Sequence, residues 1–351
     1  MGFEKNIRKV VPYTPGEQPQ QAGVIKLNTN ECPYPPSDKV RAALESLDTD
    51  RMRLYPDPAA SLLVDTWAKY NDLSSDKVFV GVGSDDVLSM CFLTFFAGKD
   101  PVIFPDITYS FYDVWCDVYK IPYEQIPLMD DFTINKQDYI GKVNGGIVIA
   151  NPNAPTGVMA DLSVIEEIIA GNPDSIVIVD EAYIDFGGIS AVPLIDKYDN
   201  VVVVQTFSKS RAMAGLRVGY AMACPKLIKY LNDVKYSVNS YTMNYPSIVL
   251  GVAAIEDREY FEEITSKIIA TRERSKKALS QLGFVFEDSA ANFIFARHES
   301  VSGQKIFDEL KKRNIYVRHW NKPRISEYLR ITIGTDDEMD KLFEALAEII
   351  G

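Results

Sequence analysis

In Val201-Val202-Val203-Val204-Gln205-Thr206-Phe207-Ser208-Lys209-Ser210-Arg211, four β-branched residues run without a polar break and then give way to hydroxyls, an amine and a guanidinium. A strand that is apolar on both faces is covered on both faces, the habit of parallel sheets flanked by helices. Working outward, the same kind of run recurs at Val78-Phe79-Val80, Val102-Ile103-Phe104, Ile147-Val148-Ile149-Ala150 and Ile176-Val177-Ile178-Val179, and Val218 to Ala223 adds a further strand. Helical patterns at 85–97 and 161–170 lie between the runs. The fold class is therefore α/β, a mostly parallel central sheet with helices on both faces.

Around this core the pattern changes twice. Residues 1–35 are rich in Pro, Gln, Asn and Tyr without periodicity and read as an extended arm that packs with the small domain or a partner subunit. Capped amphipathic helices are predicted at 37–47 and 58–70. After about 245 a long two-faced helix, clearest over Asp257 to Leu282, is predicted to link two domains. Strands at Gly283 to Ser289, Asn292 to Ala296, Ile315 to Arg318 and Tyr328 to Ile333, with helices at 303–313 and 336–350, then form a smaller α+β unit. The expected organisation is an arm 1–35, a large ligand-binding domain 36–245, a linking helix 246–282 and a small domain 283–351.

Composition narrows the function. A chain of 351 residues with 46% hydrophobic and 25% charged residues has enough apolar material for a sizeable core and no sign of extended disorder. A net charge of −12 repels a duplex or an anionic membrane surface, so neither nucleic acid nor membrane is an expected partner. The N-terminus lacks an apolar leader and no stretch is long enough to span a bilayer, which makes cytoplasm the expected compartment. Cys32, Cys91, Cys116 and Cys224 are scattered and only His298 and His319 are present, so no disulfide framework, metal site or Ser-His-Asp triad is expected.

Ligands of a parallel sheet bind beyond the carboxyl ends of its strands. After the first run comes Gly81-Val82-Gly83-Ser84-Asp85-Asp86, a glycine turn opening a helix whose free amides suit a phosphate; plain structure is an equal reading, because two carboxylates follow. After the second, Tyr109 offers a ring to stack on a planar ligand, or a rim residue of the core. After the third stands Asn151-Pro152-Asn153-Ala154-Pro155-Thr156-Gly157, too rich in turn formers for a helix or strand. After the fourth, Asp180-Glu181-Ala182-Tyr183 puts a carboxylate where a buried strand ends, and such a charge needs a partner. After the fifth, Thr206, Ser208, Lys209 and Arg217 join an anion site to an amine. Phosphate donors, a ring stacker, a carboxylate and an amine at successive strand ends fit one ligand, pyridoxal 5'-phosphate.

The chain resembles the fold-type I, class I/II aminotransferases, and within them the histidinol-phosphate aminotransferase subfamily. The resemblance is carried nearly end to end by Leu27-Asn28-Thr29-Asn30-Glu31, Leu54-Tyr55-Pro56-Asp57, Asn151 to Gly157, Asp180 to Tyr183, Thr206-Phe207-Ser208-Lys209, Ala214-Gly215-Leu216-Arg217 and Leu329-Arg330-Ile331-Thr332-Ile333-Gly334. It implies Lys209 as covalent anchor and proton carrier, Asp180 as partner of the pyridine nitrogen, Tyr183 as donor to the ring phenolate oxygen and Tyr109 as the stacking ring. Ser84, Asp85, Thr206, Ser208 and Arg217 would surround the cofactor, with Tyr55 reaching it from the other subunit of a homodimer. Arg330 and Arg318 would grip the substrate phosphate in one half-reaction and the glutamate carboxylate in the other, while Tyr13 and Asn28 close over the substrate. Many relatives carry asparagine where this chain has Ala154, so Asn153 is expected to substitute through a shifted loop, or Tyr183 to carry the phenolate bond alone.

The activity so implied is amino transfer between L-glutamate/2-oxoglutarate and imidazole acetol phosphate/L-histidinol phosphate, in histidine biosynthesis. Two rivals share the fold, an aromatic amino-acid aminotransferase and a threonine-phosphate decarboxylase. A non-catalytic regulatory protein would need a basic helix-turn-helix extension, and a binding protein with an empty crevice is opposed by the pairing of Lys209 with Asp180.

Overall fold

In the computed structural model, which describes residues 2–351, the arm leads through a two-residue strand, β1 (Ile25–Lys26), into helices α1 (Asp38–Glu45) and α2 (Ser61–Tyr70). Ser37 caps α1, its hydroxyl accepting from the Val40 amide at 3.3 Å. α2 begins later than the predicted residue 58. Asp57 accepts the amides of Ala59 and Ser61 at 3.0 and 2.7 Å, and Ala60 takes a left-handed φ of 48°, so the chain turns once before the helix starts.

The central sheet has seven strands: β2 (Val78–Gly81), β3 (Val102–Pro105), β4 (Tyr123–Ile126), β5 (Gly146–Ala150), β6 (Val177–Asp180), β7 (Val201–Thr206) and β8 (Gly219–Ala223), in the order β2-β8-β7-β6-β5-β3-β4. Only β8 runs antiparallel to its neighbours. Alternate residues of each strand feed two cores. Val80, Ile147, Ile149, Val177, Val179, Val201 and Val203 pack with Leu63 and Trp67 of α2, whereas Phe79, Val148, Ile178, Val202 and Val204 pack on the other face. That second core is completed by helices α3 (Ser84–Phe95), α4 (Tyr112–Tyr119) and α6 (Pro225–Val238); α5 (Leu162–Ala170) joins the first.

Residues 246–282, expected as one linking helix, hold two. α7 (Tyr245–Glu256) packs on α1 and α2, and α8 (Arg258–Gln281) starts anew after Asp257 and crosses to the small lobe. There β9 (Phe284–Phe286), β10 (Phe293–His298), β12 (Arg318–His319) and β13 (Leu329–Thr332) form an antiparallel sheet in the order β12-β13-β10-β9. Helices α8, α9 (Gly303–Lys312) and α10 (Asp336–Ile350) cover it, and their Ile268, Leu310, Leu342 and Leu346 bury against Phe293, Leu329 and Ile331. α10 opens with a capping box between Thr335 and Glu338. The single strand predicted over Ile315 to Arg318 divides: β11 (Ile315–Tyr316) pairs with β1 of the arm and β12 with β13, so the chain changes sheets at Val317. The arm thus rides on the small lobe, where Leu27 is buried. No helix among the described residues is long and apolar enough to cross a membrane.

Candidate active site

The carboxyl ends of the parallel strands, the arm and the β12–β13 hairpin enclose a cavity of about 760 Å³. On its floor, β6 ends at Asp180, fully buried. Asp180 Oδ2 accepts from the Tyr112 hydroxyl at 2.7 Å and Oδ1 from the Ala182 amide at 3.3 Å, yet among the described residues no cationic side chain forms an ion pair with it. Burial pushes this carboxyl up to about 6, against the pull of its two hydrogen bonds. Burial, reinforced by the Asp180 carboxylate, keeps the Tyr112 phenol protonated well above the usual tyrosine range, which leaves it a committed donor.

A carboxylate so raised weakens the cofactor-free fold as it ionises. Its folded value of about 6 lies above the ordinary 3.8, so stability is lost as pH rises between those values. At 1.36 kcal/mol per pH unit the interval amounts to about 3 kcal/mol. In urea unfolding of the cofactor-free protein, Asp180→Asn should gain stability relative to the parent by up to that amount between pH 4 and 7. Buried Glu181, pushed up to about 7 by the same cause, titrates in both proteins and cancels. A difference independent of pH would contradict the assignment.

Lys209 follows β7 in the same cavity. Its Nζ donates to the Thr29 carbonyl at 3.1 Å and lies 5.7 Å from the centre of the Tyr183 ring. No carboxylate among the described residues pairs with it. Thr206 and Ser208 form a knot beside it: the Thr206 hydroxyl lies 2.9 Å from Ser208 Oγ, and the Ser208 amide donates back to Thr206 Oγ1 at 3.1 Å.

At the far end of the sheet, Gly81, Thr206 and Gly219 are brought level by register. A Cβ on Gly219 would stand 2.3 Å from the Ser84 amide nitrogen, and one on Gly83, whose φ is 85°, 2.5 Å from Arg217 Nη2. Glycine at both places therefore lets the N-terminus of α3 and the Arg217 guanidinium share one recess, where the free amides of Ser84 and Asp85 open. The Asp85 carboxylate is turned aside, held by Arg217 at 3.2 Å and by the Tyr109 hydroxyl at 2.7 Å. Burial and then Asp85 raise the Tyr109 phenol well above its usual range.

On the opposite wall, Arg318 and Arg330 stand directly across from each other on β12 and β13. Like charges in that register repel, and the Trp320 ring neighbours both, 5.4 and 5.3 Å from the two guanidinium carbons. Arg318 donates to the carbonyls of Thr14 and Pro15, at 2.9 and 3.3 Å. Arg330 donates to the Asn28 carbonyl at 3.0 Å, but its enclosed Nε has no partner. Burial lowers its pKa. Neither arginine has a carboxylate partner among the described residues, so this wall could receive an incoming anion. Tyr13 stacks on Phe111 at 4.2 Å over the mouth, and Asn28 is buried with its amide on the Glu17 carbonyl.

Three expected residues stand elsewhere. One is Thr206, buried behind Ser208 with its hydroxyl on Ser208 Oγ and the Val218 carbonyl. Asn153 does not line this cavity: its amide serves the Ile107 carbonyl and Thr156 hydroxyl, both at 2.9 Å, and its carbonyl accepts from Thr108, which leaves no donor to offer a ligand. Ala154 lines the wall instead. Asn153→Ala should cost about 1–3 kcal/mol of unfolding free energy by stranding these groups, with the visible band of bound cofactor unchanged; loss of that band in a folded variant would restore Asn153 to the site. Tyr55 is 82% exposed, stacked on Tyr241, and outside its own chain's cavity.

Two residues were missed. Tyr112 reaches Asp180 from α4, a helix without a clear sequence signal. Asn30 sits in a quoted motif, but only Asn28 was singled out; its Nδ2 donates to the Tyr183 hydroxyl at 2.9 Å, while Thr332 and Asn292 bind its own carbonyls at 3.0 and 3.1 Å. With that lone pair filled, the Tyr183 proton is free to point into the cavity.

A buried carboxylate without a cation, an unpaired lysine and a glycine-cut recess for a phosphate fit pyridoxal 5'-phosphate, and on this sheet they define a fold-type I pyridoxal-phosphate enzyme. The model of the aminotransferase class I and II family matches residues 22–346. The chain belongs to that family and is an aminotransferase. It is 51% identical to histidinol-phosphate aminotransferase of Lactococcus lactis subsp. cremoris (strain MG1363), over 100% of this chain and 98% of that one. It is 49% identical to the histidinol-phosphate aminotransferase of Clostridium acetobutylicum, over 99% of each. The crystal structure of histidinol-phosphate aminotransferase from Sinorhizobium meliloti in complex with pyridoxal-5'-phosphate shares the fold, with a TM-score of 0.85 and 23% identity over 93% of this chain and 90% of that one.

Proposed function

We propose that this aminotransferase moves an amino group between L-glutamate/2-oxoglutarate and imidazole acetol phosphate/L-histidinol phosphate, the reaction of histidine biosynthesis. The observation that carries the reading is the identity of about half to histidinol-phosphate aminotransferases over the whole chain. The arginine pair supports it, because a site serving a phosphate in one half-reaction and a carboxylate in the other needs cations without carboxylates of their own.

When bound, pyridoxal phosphate supplies a protonated ring that takes up the electron pair left on the substrate carbon. Lys209 would hold the cofactor covalently between turnovers; freed by the substrate amine, its Nζ would take the α-proton and return it two atoms away across the nitrogen, a 1,3-shift. Asp180 keeps the ring nitrogen protonated, and the Tyr183 hydroxyl, turned inward by Asn30, donates to the ring oxygen. Tyr109 would stack on the ring, while the amides of Ser84 and Asp85 with Ser208 and Arg217 would hold the cofactor phosphate, Thr206 bracing Ser208 from behind. Arg318 and Arg330 take the distal anion or the carboxylate, under Tyr13 and Asn28.

The working form is a cytoplasmic homodimer with shared sites. Met52, Leu54, Tyr55, Val238 and Tyr241 are exposed apolar residues, a face suited to a second copy, and Tyr55 would extend from it to the partner's cofactor phosphate. Mixing Lys209→Ala with Tyr55→Ala protein should yield activity above the sum of the two parents. No complementation would favour a site built from one chain. Substrate choice is tested by comparing kcat/KM for histidinol phosphate, phenylalanine and threonine phosphate; a preference for phenylalanine, or carbon dioxide released from threonine phosphate, would replace the substrate while keeping the cofactor.

A further inference from the structure

The connection between the two cavity arginines crosses to the other lobe. Arg318 and Arg330 belong to one antiparallel hairpin, and its turn is closed at the base by His319 Nε2 donating to the Ser326 carbonyl at 2.7 Å. Beyond that base the turn docks on the large lobe, and one side chain makes the polar contacts. Arg324 Nη1 pairs with Asp106 Oδ2 at 3.0 Å, and Nη2 donates to the carbonyls of Leu128 and Met129, both at 2.8 Å. Asp106, just past the end of β3, accepts the Leu128 amide at 2.9 Å through its other oxygen, so the docking surface is itself tied together.

The adjacent Ile325 is buried with Ile107, Leu128 and Phe132 of the large lobe and Phe295 of the small. Arg324 holds a left-handed φ of 67°, a conformation that a residue with a Cβ keeps only where its contacts over-determine it. Trp320, in the same turn, is the ring that neighbours both guanidinium groups.

We infer that Arg324 is a positioning residue: docked on Asp106, Leu128 and Met129, it sets the span between the Arg318–Arg330 pair and Lys209, and so selects anionic substrates by their length. Lys209 and Asp180 belong to the large lobe and both arginines to the small, so the distance between reacting carbon and distal anion is a distance between lobes. The dock spans that gap beside the cavity it governs. Arginine's fork suits it to an anion and two carbonyls at once, which an ammonium cannot serve together in the same plane.

The test, which uses histidinol phosphate and so rests on the proposed substrate, is steady-state kinetics of holoenzyme carrying Arg324→Ala, Arg324→Lys or Asp106→Asn. Contacts to the distal anion exist in ground and transition states alike, so their loosening raises KM more than it lowers kcat. For Arg324→Ala, kcat/KM for histidinol phosphate should fall about 10- to 100-fold, the scale of a misplaced substrate, chiefly through KM. Arg324→Lys should recover part of the loss, and Asp106→Asn, which keeps an acceptor for the Leu128 amide, should raise KM in the same direction by less. Unchanged KM in Arg324→Ala, or equal loss of kcat in all three variants, would overturn the proposal. Failure of the substrate reading is distinct: the parent enzyme would then ignore histidinol phosphate, and the same comparison run with glutamate would still test the dock. Should Arg324→Ala not fold, the lysine and Asp106→Asn variants decide alone.

Discussion

Lys209→Ala is expected to leave no cofactor on the chain after borohydride reduction and to lower transamination by at least about four orders of magnitude. Removing a general base alone costs about 10²–10⁴-fold, and losing covalent anchorage adds to it. The reason lies in local structure. Lys209 leaves a strand with no exposed residue, and its Nζ rests on a backbone carbonyl rather than a carboxylate, so no ion pair must be broken before it reacts. No other lysine reaches the floor of the cavity beside Asp180; Lys322 lies at its other wall, in the arginine hairpin. Mass spectrometry of the reduced protein checks this. Cofactor covalently retained by the variant would move the assignment to another amine.

The second large effect is expected at Asp180. Asp180→Ala should bind pyridoxal phosphate weakly and lose roughly 10²–10³-fold in kcat, the usual consequence of removing one pre-organised electrostatic group from a water-poor site. The carboxylate is anchored by the Tyr112 hydroxyl and the Ala182 amide, so it costs no rearrangement when the ring nitrogen arrives. Asp180→Asn should fill the same space and retain the Tyr112 contact, yet fail to hold a proton on the ring nitrogen. Its activity should therefore sit near that of the alanine variant. Full activity in either would show that the electron sink does not depend on this residue.

Sequence and structure meet most closely where burial is complete. β5, β6 and β7 are buried along their whole lengths and read as unbroken apolar runs, so the crevice residues that follow them, Asp180 and Lys209 above all, were legible from the start. β4 was not, because it is an edge strand whose Tyr123, Glu124 and Gln125 face solvent and carry no apolar pattern. The long helix expected over Asp257 to Leu282 matches α8, but residues 246–256, rich in helix formers, belong to a separate helix, α7, rather than to the link.

Within the site, residues at strand ends were visible and residues arriving from elsewhere were not. Asn30 and Tyr112 act through contacts separated by 153 and 68 positions, and no local spacing announces them. Asn153 failed for the opposite reason. Its position in a turn beside the crevice suits a ligand, but both of its donor hydrogens go to Ile107 of the neighbouring loop and Thr156 of its own turn.

Amino transfer from histidinol phosphate through Lys209 is open to a single-turnover half-reaction. Holoenzyme is mixed with histidinol phosphate in the absence of any keto acid, and the visible band of the bound cofactor is followed. The band should be lost rapidly as the pyridoxamine form accumulates, and return with 2-oxoglutarate, with phenylalanine and threonine phosphate far slower. A band that persists with histidinol phosphate but decays with phenylalanine would contradict the claim.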